Sequence, residues 1–548
     1  MSLKIPKSQG IDLFKPGGKQ LSGIEDAVVR NIQAVNELSE IVRTSFGPNG
    51  KNKLIINHLD RLFVTNDAAT IVQELEVVHP AAKLVVMASR QQEQEVGDGS
   101  NLVLILAGEL LKKAENLLVM GLHPSEIVQG YELARNKALD SLAELENDKL
   151  ELPVSKDSLV KSIKTSLGSK QFGNEDFLSD LVADAAITVM PKDPSQFNID
   201  NVRVVKIMGG NLYESRVLRG MVFGRQPEGV ARNAQKAKVA VFTCGIDISQ
   251  TETKGTVLLK NADEMLNFTR GEEQQIEKIL KEIADSGVKV VVAGSQVGDL
   301  ALHYLNRLDI VVIKVLSKFE LRRLCRVVGA TPLARLGAPT PEEAGHIDVL
   351  ETTEIGGDRV TVFRQDNDQL TRTATIVLRG ATANHLDDIE RAIDDGTNII
   401  KTLLMKDPRF ISGAGASEIE LAKIIENFGD KTPGLNQHAI KKFAQALEII
   451  PITLSDNAGL NSTEVLSKLW AAHSTEEGKN MGIDVDAISD EGLIDTKSLG
   501  IKDSLAAKWW AIKYAVESAI AVLRVDSIIM SKAAGLAPPQ QQGHWDDD

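Results

Sequence analysis

Gly97-Asp98-Gly99-Ser100-Asn101 opens an apolar stretch, Leu102 to Ala107, which continues at helical spacing to about Leu118. Two glycines around an aspartate let the backbone approach a bulky anion closely. The helix N-terminus that follows offers free N–H groups and a partial positive charge, as a phosphate site needs. Asp98 suits Mg2+, which takes one or two carboxylates plus phosphate oxygens, while Ser100 and Asn101 can hydrogen-bond phosphate. In isolation the same residues also fit a Gly-rich turn with a Ser cap, so the surroundings must decide.

Upstream, Ser22-Gly23-Ile24-Glu25 reads as a capping box, followed by Ile24, Val28, Ile32, Val35, Leu38 and Val42 at helical spacing. Gly47-Pro48 stops that helix inside Ser45–Lys53, a turn with two lysines that suits a phosphate or sugar as well as a plain helix C-cap. Thr65-Asn66-Asp67-Ala68-Ala69-Thr70 places Asp67 before a helix, where an N-cap is the simpler reading. Apolar helices recur near 383–405, 416–427, 437–449 and 505–525. The first carries Asp394-Asp395-Gly396, and a carboxylate there together with Asp67 can orient water for attack on a phosphate. Ser412–Glu418 is a small-residue turn opening the second.

The middle of the chain differs. Short β-branched runs at 202–207, 239–243, 288–293, 310–315, 360–363 and 375–378 alternate with helices at about 272–285 and 298–307, which argues an α/β unit. The order is therefore helix-rich, α/β, helix-rich. The simplest architecture makes one helical domain from both termini and inserts an α/β domain, joined at about 148–218 and 372–402.

Composition sets the outer limits. A length of 548 residues suggests about three domains, and 43% apolar content is ample for globular folding. A net charge of −14 lacks the basic footprint of a nucleic-acid binder. Cys244 and Cys325 are the only cysteines, so no disulfide framework is expected and a reducing compartment is. Met1–Pro6 has no apolar leader pattern, and no run is long enough to span a membrane. These features point to a cytoplasmic protein without membrane contact. The tail from Pro538 to Asp548 is polar and is expected to be disordered. Walker A, HExxH and Ser-His-Asp patterns do not occur.

Taken together and in order, Ser45–Lys53, Thr65–Thr70, Gly97–Asn101, Glu390–Asp395, Ser412–Glu418, Phe443–Pro451, Asn457–Leu460 and Gly482-Ile483-Asp484 resemble the signature of the group II chaperonins, the CCT/TRiC and thermosome branch. The resemblance covers essentially the whole chain. It implies a multidomain α and α/β fold. A mostly helical equatorial ATP-binding domain would come from 1–147 and 403–548, and a small α/β intermediate hinge domain from 148–218 and 372–402. An inserted α/β apical substrate-binding domain would occupy 219–371, with a helical lid protrusion at about 251–285 exposing Leu258, Leu259, Met265, Leu266 and Phe268 until a ring closes. Leu300, Tyr304 and Leu308 fall on one stripe of an apical helix, as core or as client surface.

The resemblance also implies residue roles. Asp98 would hold Mg2+; Gly97, Gly99, Ser100 and Asn101 would contact the phosphates of ATP or ADP. Phe46, Gly47 and Pro48 would line the nucleotide, and Gly168, Ser169 and Lys170 would form a nucleotide-sensing loop. Asp67 and Asp395 would position the attacking water, Gly413 or Ala414 would lie against the nucleotide, and Asp503 would reach the ribose. Implied partners are paralogous subunits in a double ring of eight-membered rings and unfolded clients such as actin and tubulin. The chain departs from the family at Asn49 (usually lysine), Ala68 (glycine), Asn101 (threonine), Ala414 (glycine) and Ser504 (proline). Lost lysine and hydroxyl donors imply ATP binding with slow hydrolysis, or at the limit a structural ring member that holds nucleotide.

Overall fold

The computed structural model describes residues 19–22, 27–151, 153–247, 262–366, 373–486 and 492–530. The expected lid residues Leu258 and Leu259, the tail 538–548, Met1–Pro6 and residues 23–25 of the capping pattern lie outside these.

Helices from both ends of the chain share one apolar core. Val29–Arg43, Pro80–Glu95, Ser100–Val119 and Pro124–Leu142 pack with Ala416–Lys431, Asn436–Leu447 and Leu505–Leu523. The stripe Val28, Ile32, Val35, Leu38 and Val42 is buried there, as are Ile512, Val516, Ala519, Val522 and Leu523. Proline at the first position of two of these helices pre-sets their φ. Among its fully buried described residues Tyr131 and Phe443 bring the large rings, meeting edge-on at 5.8 Å; the other fully buried ones are aliphatic or alanine, and rings such as Phe46, Phe428 and Trp470 pack at the margin. The two chain ends also pair directly, Lys19–Ser22 running antiparallel to Ser527–Met530. This corrects the reading of Ser22 as a helix cap: Ser22 sits in that strand, opposite Ser527, and the helix starts at Val29 with no side-chain cap.

A second core joins Lys156–Lys170, Glu175–Val189 and Ala383–Met405 under the parallel strands Val202–Met208 and Ala374–Gly380. Ser155 and Ser158 cap the first of these helices reciprocally. Those two strands begin an eight-stranded mixed sheet that continues through Arg216–Phe223, Asp358–Arg364, Gly345–Ile355, Ala234–Phe242, Val288–Ala293 and Val311–Lys314. The last three are parallel, linked by helices Ala262–Asp285 and Asp299–Arg307, so this part is built of βαβ units. Two further apolar clusters, one on each face of this end of the sheet, make the third core. In Asp299–Arg307 the buried residues are Ala301 and Leu305, and Leu302, Tyr304 and Leu308 pack at their margin, so Tyr304 and Leu308 of the expected stripe serve the core, while half-buried Leu300 lies outside that cluster. The strands at 216–223 and 345–355 were not singled out in the sequence, because neither shows a clean alternation.

At the seam between second and third cores, the Arg379 guanidinium is wedged between two glycine turns. A Cβ on Gly356 would come within 2.5 Å of its Cζ, and one on Gly210 within 2.7 Å of its Nη2. Both glycines have positive φ, and Arg379 is almost wholly buried.

Candidate functional site

Where the first and second cores meet lies a cavity of about 320 Å³, within the range of ~300–1,000 Å³ of small-molecule sites. Its lining combines apolar side chains, Phe46, Ile450, Leu454, Ile483, Val485 and Ile501, with Lys164, Lys170, Lys502 and Lys508 and with Asp98 and Ser166. Of the residues singled out in the sequence, Phe46, Gly47, Pro48, Asp98, Gly99, Asn101, Gly168, Ser169, Lys170, Ala414 and Asp503 line it. Gly97, Ser100, Gly413, Asp67 and Asp395 lie just behind the wall rather than on it.

The Gly97–Asn101 loop owes its shape to both glycines, each at φ +81°. Gly99 is the left-handed cap of helix Ser100–Val119, so the helix's first N–H groups open toward the cavity. Gly97 serves a different purpose: it leaves room for Asn398 on helix Ala383–Met405. Asp98 is fixed by three neighbours. Its Oδ1 accepts from Gly99 N at 2.7 Å, its Oδ2 from Ser166 Oγ at 2.8 Å, and its carbonyl from Gln92 Nε2 at 2.7 Å. Asn101 turns the other way, its Oδ1 accepting from Ala68 N at 3.0 Å, and so joins the loop to the Asp67 turn.

Asp67 caps helix Ala68–Glu74, its Oδ2 accepting from Thr70 N at 3.0 Å and Thr70 Oγ1 at 2.8 Å. The simple N-cap reading is therefore correct for one carboxylate oxygen. The other faces Lys170 Nζ at 3.3 Å, and the same ammonium pairs with Asp395. Lys170 closes the last turn of Lys156–Lys170, so three elements of two cores meet in one buried ion cluster. Burial favours the neutral lysine, but Asp67, Asp98 and Glu93 outweigh it and raise its pKa. Burial opposes ionisation of Asp67 too, yet Lys170 and the Thr70 bonds hold its pKa below the usual carboxylate value.

Neighbouring bonds reinforce the seam: Thr65 Oγ1 and Gln171 Nε2 donate to Asp388 at 2.9 and 2.6 Å, and Asn66 Nδ2 donates to the Lys170 carbonyl at 3.2 Å. Of the pair Asp394-Asp395, only Asp395 faces Lys170. Asp394 is pushed up to about 6 by burial and by Glu390.

Two charged residues around the cavity carried no sequence signal. Glu93, one turn before the Gly97 loop, is pushed up to about 7 by burial and by Asp67, and its Oε2 is buried without a partner. Lys508, inside what read as a plain apolar helix, pairs with Glu418 at 2.7 Å and Asp503 at 2.8 Å. On the opposite wall Asn49 Nδ2 donates to the Val485 carbonyl at 3.1 Å, and Ala414 adopts φ +52°, a conformation that favours glycine.

A lining that combines a helix N-terminus, lysines and apolar side chains suits an anion attached to an apolar group. Among the described residues no cluster of three or more His, Cys, Asp or Glu could hold a metal unaided. A single carboxylate on the cavity wall, here Asp98, is the donor set Mg2+ uses when phosphates complete its shell. No helix among the described residues is long and apolar enough to cross a membrane.

The profile described as the TCP-1/cpn60 chaperonin family matches residues 38–533. The chain is 60% identical to a protein of Schizosaccharomyces pombe named probable T-complex protein 1 subunit theta, over 100% of both chains. It is 52% identical to the Saccharomyces cerevisiae protein named T-complex protein 1 subunit theta, and 50% to that of Gallus gallus, again over 100% of both chains.

Proposed function

Because the chain belongs to the TCP-1/cpn60 chaperonin family, we propose that it is a theta-type subunit of a cytoplasmic hetero-oligomeric double-ring chaperonin, which binds and hydrolyses ATP to drive lid closure over unfolded clients. Its partners are paralogous subunits in eight-membered rings, and actin and tubulin are clients of the expected kind. On this reading the first core is the equatorial domain, the second the intermediate hinge, and the third the apical domain that meets clients.

The observation that carries the ATPase reading is the meeting of Asp67, Lys170 and Asp395. Asp67 belongs to the first core and Asp395 to a helix of the second. A water held between their carboxylates is positioned only when the cores close on each other. As the water oxygen bonds to the γ-phosphorus, its proton passes to a carboxylate, and the bridging P–O bond breaks toward ADP. Lys170 keeps Asp67 ionised, so the carboxylate can accept a hydrogen bond from that water. Asp98, held by Ser166 and Gly99, would be the Mg2+ ligand; the ion supplies neutralisation of phosphate charge. Ser166 thereby ties this grip to the same helix that bears Lys170. The apolar slot at Phe46, Leu454 and Ile483 excludes water from the flat end of the ligand.

Asp395→Ala in the assembled complex is expected to leave ATP labelling of this chain intact and to reduce turnover at its site by at least about a hundredfold. Unchanged single-site turnover would refute the role.

The Asn49 bond supports a second reading, in which the subunit holds nucleotide and cycles slowly. A family lysine is replaced there by a residue that ties the Ser45–Lys53 turn to the facing wall. Nucleotide that stays on this chain through many turnovers of the complex favours that reading; prompt exchange eliminates it.

A further inference from the structure

Lys508 is a largely buried ammonium on helix Leu505–Leu523, and each of its three donors has a partner. Glu418 Oε1 lies at 2.7 Å, Asp503 Oδ2 at 2.8 Å and Ser417 Oγ at 2.8 Å. Ser417 Oγ in turn donates to the second oxygen of Glu418 at 3.0 Å, so Glu418 is spent inside the cluster. Asp503 is not. One of its oxygens is taken by Lys508, the carboxylate is about a third exposed, and the residue lines the cavity. A Cβ on Gly413 would lie 3.3 Å from Asp503 Oδ1, so the free oxygen sits against the Gly413 turn at the cavity wall.

The cluster draws together three segments of the wall: the first turn of helix Ala416–Lys431, strand Lys502–Ser504, and the helix that bears Lys508. The carboxylate of Asp503, in the middle of a three-residue strand, has two rotatable side-chain bonds of its own. An ammonium that occupies one oxygen from a rigid helix removes that freedom and leaves the other oxygen aimed at a fixed point. A vicinal diol is the ligand group that such a fixed acceptor selects, since each hydroxyl donates a hydrogen bond that a deoxy analogue lacks.

We infer that Lys508 is a positioning residue for sugar recognition: by locking Asp503 against Glu418 and Ser417, it makes the cavity discriminate a ribose from a deoxyribose. This rests on the reading of the cavity as an ATP site with Asp503 at the sugar. Lys508 does not touch the ligand. It sets the direction of the group that does, and a loosened Asp503 would rotate to follow whichever sugar is present.

The test uses the full chain in its assembled complex. Photolabelling of this chain by 8-azido-ATP is competed with ATP, 2′-deoxy-ATP and 3′-deoxy-ATP, and the ratio of competing concentrations is read without any hydrolysis. With the natural chain, at least one deoxy form competes about tenfold less well than ATP, the size of one lost hydrogen bond to a charged acceptor. Lys508→Met brings the ratio to within about threefold of unity. Lys508→Met leaves the buried Glu418 carboxylate without its cation beside Asp503, so Lys508→Met with Glu418→Gln serves as the second variant and carries the test if the single one does not assemble. A natural-like ratio in these variants, with all three competitors weakened equally, overturns the proposal and leaves Lys508 a structural pair. Asp503→Ala separates the two levels. If it preserves the ratio, the sugar lies elsewhere and both readings fall; if it abolishes the ratio while the Lys508 variants do not, only the Lys508 inference falls.

Discussion

Gly97 and Asn398 interlock across the seam between the first two cores: a Cβ on Gly97 would lie 2.6 Å from Asn398 Nδ2 and closer still to the carbon atoms of that side chain. Gly97 therefore reports less on phosphate than on docking of the helix that carries Asp395.

Gly97→Ala should lift that helix. Positive φ alone costs about 1–2 kcal/mol for a non-glycine residue, and the overlap with Asn398 adds to it. Gly121→Ala is the control, because Gly121 has φ +95° and nothing within 4 Å. Thermal unfolding should fall further for Gly97→Ala than for Gly121→Ala, and only the former should lower turnover at this site while ATP labelling persists. Equal effects of the two would reduce Gly97 to a backbone requirement.

Lys170→Met removes the cation from a buried cluster and leaves Asp67 and Asp395 facing each other. Breaking a buried pair in this way costs about 3–5 kcal/mol, measurable by chemical denaturation. Asp67→Asn in the same background should recover part of the loss, since the second variant removes one of the two stranded charges.

The cluster also has a defined pH window. Asp67 titrates below its unfolded value, so its contribution is present above about pH 4 and disappears as pH falls through the folded pKa. Lys170 titrates above its unfolded value, so its contribution is complete below about pH 10 and disappears as pH rises through the folded pKa. Denaturation midpoints should thus lose their sensitivity to Lys170→Met outside those limits. A difference that persists unchanged at pH 3 would contradict the ion-pair account.

Glu93 works in the opposite sense. Its folded pKa of about 7 exceeds the ordinary glutamate value, so the unfolded chain releases the proton first, and stability falls as pH rises from about 4.5 to 7. The full effect is at most about 3 kcal/mol. Glu93→Gln should flatten that slope and raise stability at pH 8 relative to pH 5; an unaltered slope assigns the titration to another group.

Gly356→Ala addresses the seam of the second and third cores. It adds a methyl group where Arg379 is wedged, at φ +62°, and should cost about 1–3 kcal/mol. Hydrogen exchange should rise at the tip of the Gly345–Ile355 and Asp358–Arg364 hairpin while the first core stays protected.

How far the sequence foretold this depends on the type of signal. Helix Ser100–Val119 was legible because its apolar stripe is long and begins at a glycine that no other residue replaces easily. The parallel strands at 288–293 and 311–314 were legible because strands buried on both faces read as unbroken β-branched runs. The strand 345–355 was not, since its half-buried face mixes His346, Asp348 and Thr352 with apolar residues. The site divides in the same way. Asp98 and Asp67 sit in short turns whose local chemistry announces them, and Asp395 stood out only beside a pattern of distant partners. Lys508 and Glu93 were invisible: each lies in a helix, and what makes them notable is a partner brought in by the tertiary fold.

The pairing of the chain's two ends also sets a timetable for its birth. The first core is half made when Leu142 emerges, but its apolar faces wait for Leu505–Leu523, the helix that supplies Lys508 and a wall of the cavity. At about 5–20 residues per second the wait is tens of seconds. Once Lys314 has emerged the βαβ units in the middle have every residue they need to fold, while helices Ser100–Val119 and Pro124–Leu142 still lack the faces that Asn436–Leu447 and Leu505–Leu523 supply. A ribosome-bound chain of this protein is consequently a sticky one, and it gains the full walls of its cavity only once Leu505–Leu523 has been made.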